Sequence, residues 1–249
     1  MYDAVPSRRR IEKWWQIRNF QIISFSRLLH KELKALGLSS HNIKYYPKPS
    51  KEIIYGDPYS AFFWHRHDSI SSNDAELICK NLNLKHLHIH RASDPGHEAN
   101  HENKFGEIRK TYSDWFKSQD EFRALISKSA YFIAPRNKEG IGMAYLEAMG
   151  QGKCVIAKNN STMNEYIKNK ENGILYGNKF KKSDINLKEI QQNAYISSLK
   201  GHEKWKKEKE LILKYIKADT KTNKLRLYLM VIIGLTTNPG RVIKALLNK

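Results

Sequence analysis

The segment KEGIGMAYLEAMGQGKCVIA (residues 138–157) contains two glutamates, Glu139 and Glu147, eight positions apart around two glycines. Paired carboxylates are typical of enzymes that hydrolyse glycosidic bonds, in which they flank one bond at roughly 5 to 9.5 Å. A fully helical segment would separate these two residues by about 12 Å along its axis, and the glycines indicate that its first part is a loop. The spacing therefore favours two carboxylates that contact the two ends of an elongated ligand.

A helix is predicted to begin between the two glutamates, near residues 141–143. The free amides and the dipole of a helix start favour a phosphate, and Gly140 and Gly142 allow the backbone to approach it closely. A nucleotide sugar has this layout, with sugar hydroxyls, a diphosphate and ribose hydroxyls in a row. On the residues alone an alternative stays open, in which Glu139 caps the helix and Glu147 lies on a solvated helix face.

Short apolar runs of β-prone residues alternate with segments of helical period, which predicts an α/β fold built around a parallel sheet. A helix is expected from about Ser26 to Leu36, and helices are assigned to the gaps between strands. Two Ser/Thr-x-x-Glu patterns predict helix starts, at Ser118 with Glu121 and at Thr162 with Glu165. The predicted strands are Gln21–Ser24, Ile43–Tyr46, Ala61–Trp64, Lys85–His90, Tyr131–Ala134, Cys154–Ala157 and Ile174–Tyr176.

The composition is strongly basic. In 249 residues, 44 Lys and Arg outnumber 25 Asp and Glu, for a net charge of +19. This excess indicates a polyanionic partner: a phosphorylated ligand, an anionic bilayer or nucleic acid. The two cysteines show no metal-site or disulfide spacing, and the N-terminus does not read as a secretory signal, so a cytoplasmic location is expected.

The segment from Ser129 to Tyr176 resembles the donor-binding region of retaining GT-B glycosyltransferases of the "glycosyl transferases group 1" class. The shared features, in order, are Glu139 and Glu147, Leu-Glu-Ala-Met, a glycine, a Val-Ile strand, a Glu-hydrophobic loop end and Asn-Gly-hydrophobic-Leu. The earlier segment YPKPSKEIIYGDPYSAFFWHRHDSI is similar to the linker and first strand of the C-terminal domain of such enzymes, particularly bacterial ones that build capsule or O-antigen polysaccharide. The resemblance implies a Rossmann-like parallel sheet flanked by helices, the C-terminal half of a GT-B fold.

The resemblance also implies roles for particular residues. Glu139 would contact the donor sugar, Glu147 the ribose, and the amides at Ile141 and Gly142 the phosphates. Arg66 matches an arginine that neutralises the donor diphosphate, while HDSISSND after it lacks the lysine that the family has nearby. The class transfers hexoses with retention and needs no metal or other cofactor, so Glu139 and Arg66 are the candidate catalytic residues and Gly140 completes the donor site.

Three parts are expected: residues 1–38 as a remnant of an N-terminal acceptor domain, 39–218 as the nucleotide-sugar-binding domain, and 219–249 as basic amphipathic helices. On this expectation the acceptor domain is largely missing, so the expected partners are a nucleotide-sugar donor, a surface-polysaccharide or lipid-linked glycan acceptor, and a protein that supplies the acceptor side. The apolar and basic residues around Leu225–Ile232 favour either peripheral attachment to the anionic inner face of the cytoplasmic membrane or packing within the protein.

Two other functions stay open. The first is a non-catalytic remnant that binds a nucleotide sugar. The second is a basic nucleic-acid-binding module, although no recognised nucleic-acid-binding motif is present. A cluster of histidines is a candidate metal site. The favoured interpretation is that these histidines are polar positions at the end of the sheet. The members of the cluster are His86, His88, His90, His97 and His101.

Overall fold

The computed structural model describes residues 11–66, 69–92, 108–180, 184–217 and 223–237, with the single positions 240, 243 and 247. The chain divides into two compact units. One, the sheet unit, comprises residues 46–202, and the other, the terminal unit, comprises residues 1–45 and 203–249. The three-part division expected from the sequence stays a prediction.

The sheet unit is built on six parallel strands, as the alternation of apolar runs and helical segments predicts. The strand order is β5-β4-β3-β6-β7-β8, which is the doubly wound order with a reversal between β3 and β6. The strands are β3 (Asp57–Trp64), β4 (His86–His90), β5 (Arg109–Ser113), β6 (Ser129–Ile133), β7 (Cys154–Lys158) and β8 (Ile174–Tyr176).

Helices cover both faces of this sheet, so its central strands are buried on both sides. On one face Ile78 and Cys79 of α3 pack in the core with Phe63 and Ile133. On the other face Phe122 of α4 meets Phe62 with ring centroids 5.8 Å apart. The helices are α3 (Ser72–Asn81), α4 (Gln119–Ser127), α5 (Met143–Gly150), α6 (Met163–Tyr166) and α7 (Leu187–Lys217), the last of which continues into the terminal unit.

The terminal unit contains a small β-α-β element and its own core. Strands β1 (Ile22–Ser24) and β2 (Ser40–Asn42) pair in parallel around α2 (Arg27–Ala35). The helix expected from about Ser26 to Leu36 is confirmed as α2, and the Ser26 side chain caps it. The helices α1 (Ile11–Gln16) and α8 (Lys224–Thr237) complete the unit. Its core consists of Trp14, Leu33, Leu36, Leu38, Leu227 and Val231.

Two strand predictions are wrong. The strand expected at Ile43–Tyr46 lies earlier, at β2, because the pairing with β1 begins at Ser40. The Ile43 amide donates one more hydrogen bond, to the Ser24 carbonyl oxygen of β1, and the strand pairing ends there. No strand is predicted at β5, where one forms. This edge strand is partly exposed and contains charged residues, so its apolar signal is weak.

The two predicted helix starts have different outcomes. The Ser118 hydroxyl accepts a hydrogen bond from the Glu121 amide at 3.3 Å, as predicted, while the Glu121 carboxylate accepts from the Lys117 amide, one residue earlier than expected. Thr162 is wrong as a side-chain cap. Its backbone has a helical conformation rather than the extended one of a capping residue, and its hydroxyl bonds elsewhere, as described below.

Within the part of the chain that is described, no helix has both the length and the apolar character needed to cross a membrane.

Candidate active site

The reversal of strand order places the ends of β3 and β6 side by side. Phe63 of β3 pairs with Ile133 of β6. Arg66 therefore follows the paired position by three residues, and Glu139 follows it by six. In doubly wound sheets, ligands bind in the crevice outside the carboxyl ends of the strands at such a reversal. The sequence-predicted Arg66 and Glu139 thus both belong to loops at the place where this fold binds ligands.

Hydrogen bonds join the Glu139 loop to two neighbouring loops. The Thr162 hydroxyl donates hydrogen bonds to the carbonyl oxygens of Glu139 and, at 3.3 Å, of Gly140. Asn160 donates through Nδ2 to the carbonyl oxygen of Asn137 at 3.0 Å. Asn137 in turn donates through Nδ2 to the carbonyl oxygen of Ser69 at 2.8 Å. The loops after β3, β6 and β7 are therefore tied into one layer at the carboxyl edge of the sheet.

The start of α5 is open, which fits the predicted phosphate site. Its N-cap residue is Gly142, with φ 76° and ψ 48°, and no side-chain hydrogen bond caps the helix. The first-turn amides of such a helix have no partner within the helix and carry a partial positive charge. The helix begins at Met143, so Gly140 and Ile141 belong to the loop, as the glycine spacing indicates. Glu139 therefore lies outside the helix.

Glu147 lies in the second turn of α5 and is mostly buried, with 10% of its side chain exposed. Its Oε1 accepts a hydrogen bond from Gln119 Nε2 at 2.7 Å and lies 3.9 Å from Arg123 Nη2. Burial raises the pKa of this carboxyl, against the opposing effects of Arg123 and Gln119. The alternative of a solvated helix face is therefore wrong. Among the described residues, none donates a hydrogen bond to Oε2.

The contacts of Glu147 place it on the same edge of the sheet as Glu139. Gln119 is the first residue of α4, and α4 begins shortly after β5 ends, at the carboxyl edge. Gln119 has no signal in the sequence, and the local pattern at Thr162 predicts only a helix cap. Neither contact could be predicted, because each joins residues more than twenty positions apart.

Arg66 is partly exposed, and its guanidinium carbon lies 5.1 Å from the centre of the Trp64 ring. Stacking of this kind orients an arginine side chain. The segment after it has no lysine. The Glu139 loop instead contains Lys138, an exposed cation with no ion pair to any other described residue. Sequence reasoning did not single out Lys138.

The described histidines have structural partners. His86, His88 and His90 share one face of β4, as predicted, and each ring bonds to hydroxyl side chains. These partners are Ser60 on β3 and Thr111 and Ser113 on β5. No group of three metal-ligand side chains occurs in the described ranges, and His97 and His101 lie outside them.

Part of the chain is similar to a known protein family. Residues 110–192 match the family model for glycosyl transferases group 1. The match covers about a third of the chain, including β6, α5 and β7, and thus Glu139 and Glu147. A comparison with curated proteins finds no match.

Several solved structures have a fold similar to that of this chain. Sucrose-phosphate synthase from Thermosynechococcus elongatus is 13% identical with a TM-score of 0.61, covering 84% of this chain and 62% of that one. Anabaena Alr3699/HepE, solved with UDP and glucose, is 12% identical with a TM-score of 0.60, covering 84% and 68%. S. aureus TarM, as a mutant with fondaparinux, alpha-GlcNAc-glycerol and UDP, is 15% identical with a TM-score of 0.56, covering 83% and 46%.

These similarities establish the fold: a parallel sheet flanked by helices that matches the C-terminal half of GT-B glycosyltransferases. The chain spans about half the length of TarM.

Proposed function

We propose that the chain is the donor-binding part of a glycosyltransferase that uses a nucleotide sugar. The observation that carries this proposal is the position of Arg66 and Glu139 in two loops tied together at the reversal of strand order. The family match over residues 110–192 supports it, as do structural neighbours solved with UDP.

The proposed site has three parts in the order of the ligand. Glu139 accepts hydrogen bonds from hydroxyls of the donor sugar, and the open start of α5 receives the diphosphate through its amides. Arg66 and the exposed Lys138 neutralise the phosphate charge. Glu147 accepts hydrogen bonds from the ribose through Oε2, because Gln119 already occupies Oε1.

Sugar transfer breaks the bond between the anomeric carbon and the diphosphate and forms one between that carbon and an acceptor hydroxyl, whose proton is released. The leaving diphosphate gains negative charge, so Arg66, Lys138 and the α5 amides would stabilise the transition state more than the bound donor. Fixed donors of this kind are often the largest catalytic contribution, which is why we assign Arg66 as a catalytic residue. Glu139 is assigned as the second because it would accept hydrogen bonds from the sugar whose anomeric carbon reacts.

The finer assignments follow the family resemblance. We propose a hexosyltransferase that acts with retention and without a metal ion. The proposed acceptor is a bacterial surface polysaccharide, such as capsule or lipopolysaccharide, or a lipid-linked glycan in the cytoplasm. The acceptor side would come from sequence outside the described sheet unit or from a partner protein.

A thermal-shift titration tests the donor site. We expect UDP, or another nucleoside diphosphate in a panel with its sugar conjugates, to raise the melting temperature of the chain, since a ligand bound only to the folded state stabilises it. Glu139→Gln should reduce the shift with the sugar conjugate but retain most of the shift with the free diphosphate. Glu147→Gln should reduce both shifts, because the ribose is common to both ligands.

Glu52→Gln is the matched control. Glu52 is exposed and lies beside Ile54, whose amide bonds to Gln151 at the far end of α5 from the proposed site. This variant should keep both shifts. The proposal fails if no nucleotide in the panel changes the melting temperature, or if all three variants respond equally.

A further inference from the structure

Helix α8 of the terminal unit is apolar on two sides, and one of these sides packs in the core of the unit. Leu227 and Val231 are 4% and 7% exposed and pack in the core of the unit with Trp14. The start of the helix is also fixed, because the Asn223 amide donates to the Gly37 carbonyl oxygen at 2.6 Å. A Cβ atom at Gly37 would lie 2.9 Å from Arg226 Cβ, so the two segments are in close contact.

The opposite side of α8 carries a continuous apolar strip. We call this strip the outer face; its members recur at intervals of three and four positions, which places them on one side of a helix. Each is more than half exposed: Leu225 71%, Tyr228 57%, Leu229 51%, Ile232 57% and Ile233 52%. Because the inner side is held in the core, the helix cannot rotate to bury this strip. A contiguous apolar patch of this kind marks an interaction surface.

The charge around the outer face is positive. From residue 211 to the C-terminus the sequence has eight Lys and Arg and one acidic residue, Asp219. Lys224 and Arg226, in the first turn of α8, are exposed, and the helix contains no acidic side chain.

Aromatic residues also lie beside the outer face. Trp15 of α1 lies 6.3 Å from Tyr228, measured between ring centroids, and the Arg18 guanidinium lies 4.4 Å from the Trp15 ring. Apolar residues flanked by Lys, Arg, Trp and Tyr are typical of helices that lie in a membrane interface.

We propose that the outer face of α8 binds an anionic membrane surface, with the helix lying in the plane of the interface. At 14 residues, the helix would be only about 21 Å long, too short for a hydrocarbon core of about 30 Å. A second copy of the chain is a poorer occupant, because it would bring a second net charge of +19 to the same interface. This inference is independent of the proposed sugar transfer.

Vesicle flotation tests the inference on the full chain. Two vesicle compositions are compared: phosphatidylcholine alone, and phosphatidylcholine and phosphatidylglycerol in equal parts. We expect the chain to float with the mixed vesicles, to remain at the bottom with the neutral ones, and to dissociate as salt is added. In the Leu229→Gln/Ile233→Gln variant, the ratio of bound to free protein should fall about tenfold or more.

Leu77→Gln/Leu199→Gln is the matched control, since these leucines are 52% and 41% exposed but lie in the sheet unit. It should float like the unmodified chain. Both variants should keep the unmodified melting temperature and nucleotide response, which separates this test from that of the donor site.

Equal flotation of the two variants would overturn the proposal, as would binding to neutral vesicles that matches binding to mixed ones. It is also overturned if the chain stays at the bottom with both vesicle types. Sedimentation that shows a dimer, converted to monomer by Leu229→Gln/Ile233→Gln, would assign the outer face to a second copy instead.

Discussion

Gly142 shows how one residue fixes the geometry of the candidate site. Its φ of 76° lies in the left-handed region, which strains residues with a side chain. A Cβ atom there would lie 1.8 Å from Cε1 of Tyr145, a fully buried ring whose hydroxyl donates to the Ile141 carbonyl oxygen at 3.2 Å. Only glycine therefore fits at this position. The ring below it holds the loop that leads into α5.

We expect Gly142→Ala to lower the free energy of unfolding by about 2 to 6 kcal/mol, because backbone strain and overpacking each cost about 1 to 3 kcal/mol. Urea denaturation followed by circular dichroism measures the loss. Gly177→Ala is the control, since a Cβ atom at Gly177 would meet nothing within 4 Å. Equal stability of the two variants would show that the start of α5 tolerates a side chain.

At this scale the sequence predicted the residues with a chemical signature and missed those that support them. Glu139, Glu147 and Gly142 could be named as candidate site residues because charge and glycine spacing indicate a ligand loop within a few positions, and their roles stay predictions. Thr162 could not be assigned correctly, because its hydroxyl bonds to a loop more than twenty residues earlier. A local pattern predicted a helix cap for it instead.

Strand β4 carries an unusual row of polar side chains into the core. His88 and His90 are 7% and 1% exposed and bridge to hydroxyl groups on β5, with Phe62 stacked against both rings. Neutral imidazole both donates and accepts hydrogen bonds, so it can fill such a row, whereas a protonated ring would place an uncompensated charge under α4.

Burial lowers the pKa of both rings to about 4. Other groups modify this effect: His86 and Lys128 lower the pKa of His88, while His88 lowers and Asp114 and Ser113 raise that of His90. Between about pH 4 and the ordinary value of 6.5 the unfolded chain binds more protons at these positions than the folded one. Their contribution to stability is therefore complete above 6.5 and is lost as the pH falls toward 4.

Urea denaturation at several pH values from 4 to 7.5 checks this expectation. The free energy of unfolding should fall with decreasing pH, each ring adding at most about 1.4 kcal/mol per pH unit to the slope. His88→Gln/His90→Gln should have a shallower slope than the unmodified chain, and His202→Gln, outside the sheet, should not. Parallel slopes for all three proteins would refute the assignment.

The elements that the sequence predicted best are those with a strong apolar signal. Strands β3, β4, β6, β7 and β8 are buried and appear close to the expected positions. Strand β5 was missed because its side chains are exposed or partly exposed and include charged residues, so its apolar signal is weak. The pairing of β2 with β1, which decides where β2 begins, depends on tertiary contacts that no local pattern contains.

On the scale of the whole molecule, each of the two units has a hydrophobic core among the described residues. That of the sheet unit is built on strands β3 to β8, and that of the terminal unit combines residues from both ends of the chain. Trp14 and Leu33 come from the first part of the sequence, and Leu227 and Val231 from the last. Composition cannot predict that residues from the first and the last parts of the sequence share one core, because the pattern in each part alone indicates only an amphipathic helix.

Leu227→Ala tests whether the two cores are energetically independent. The side chain is 4% exposed, so its truncation should cost about 2 to 5 kcal/mol within the terminal unit. Hydrogen exchange followed by mass spectrometry should then show faster exchange in β1, α2 and β2, while β3, β6 and β7 keep their protection.

Leu225→Ala is the control, since Leu225 lies on the same helix but is 71% exposed, and it should leave exchange unchanged. If Leu227→Ala accelerated exchange equally in β6 and in β1, the two units would unfold as one cooperative structure, and a donor bound to the sheet unit would then protect the terminal unit as well.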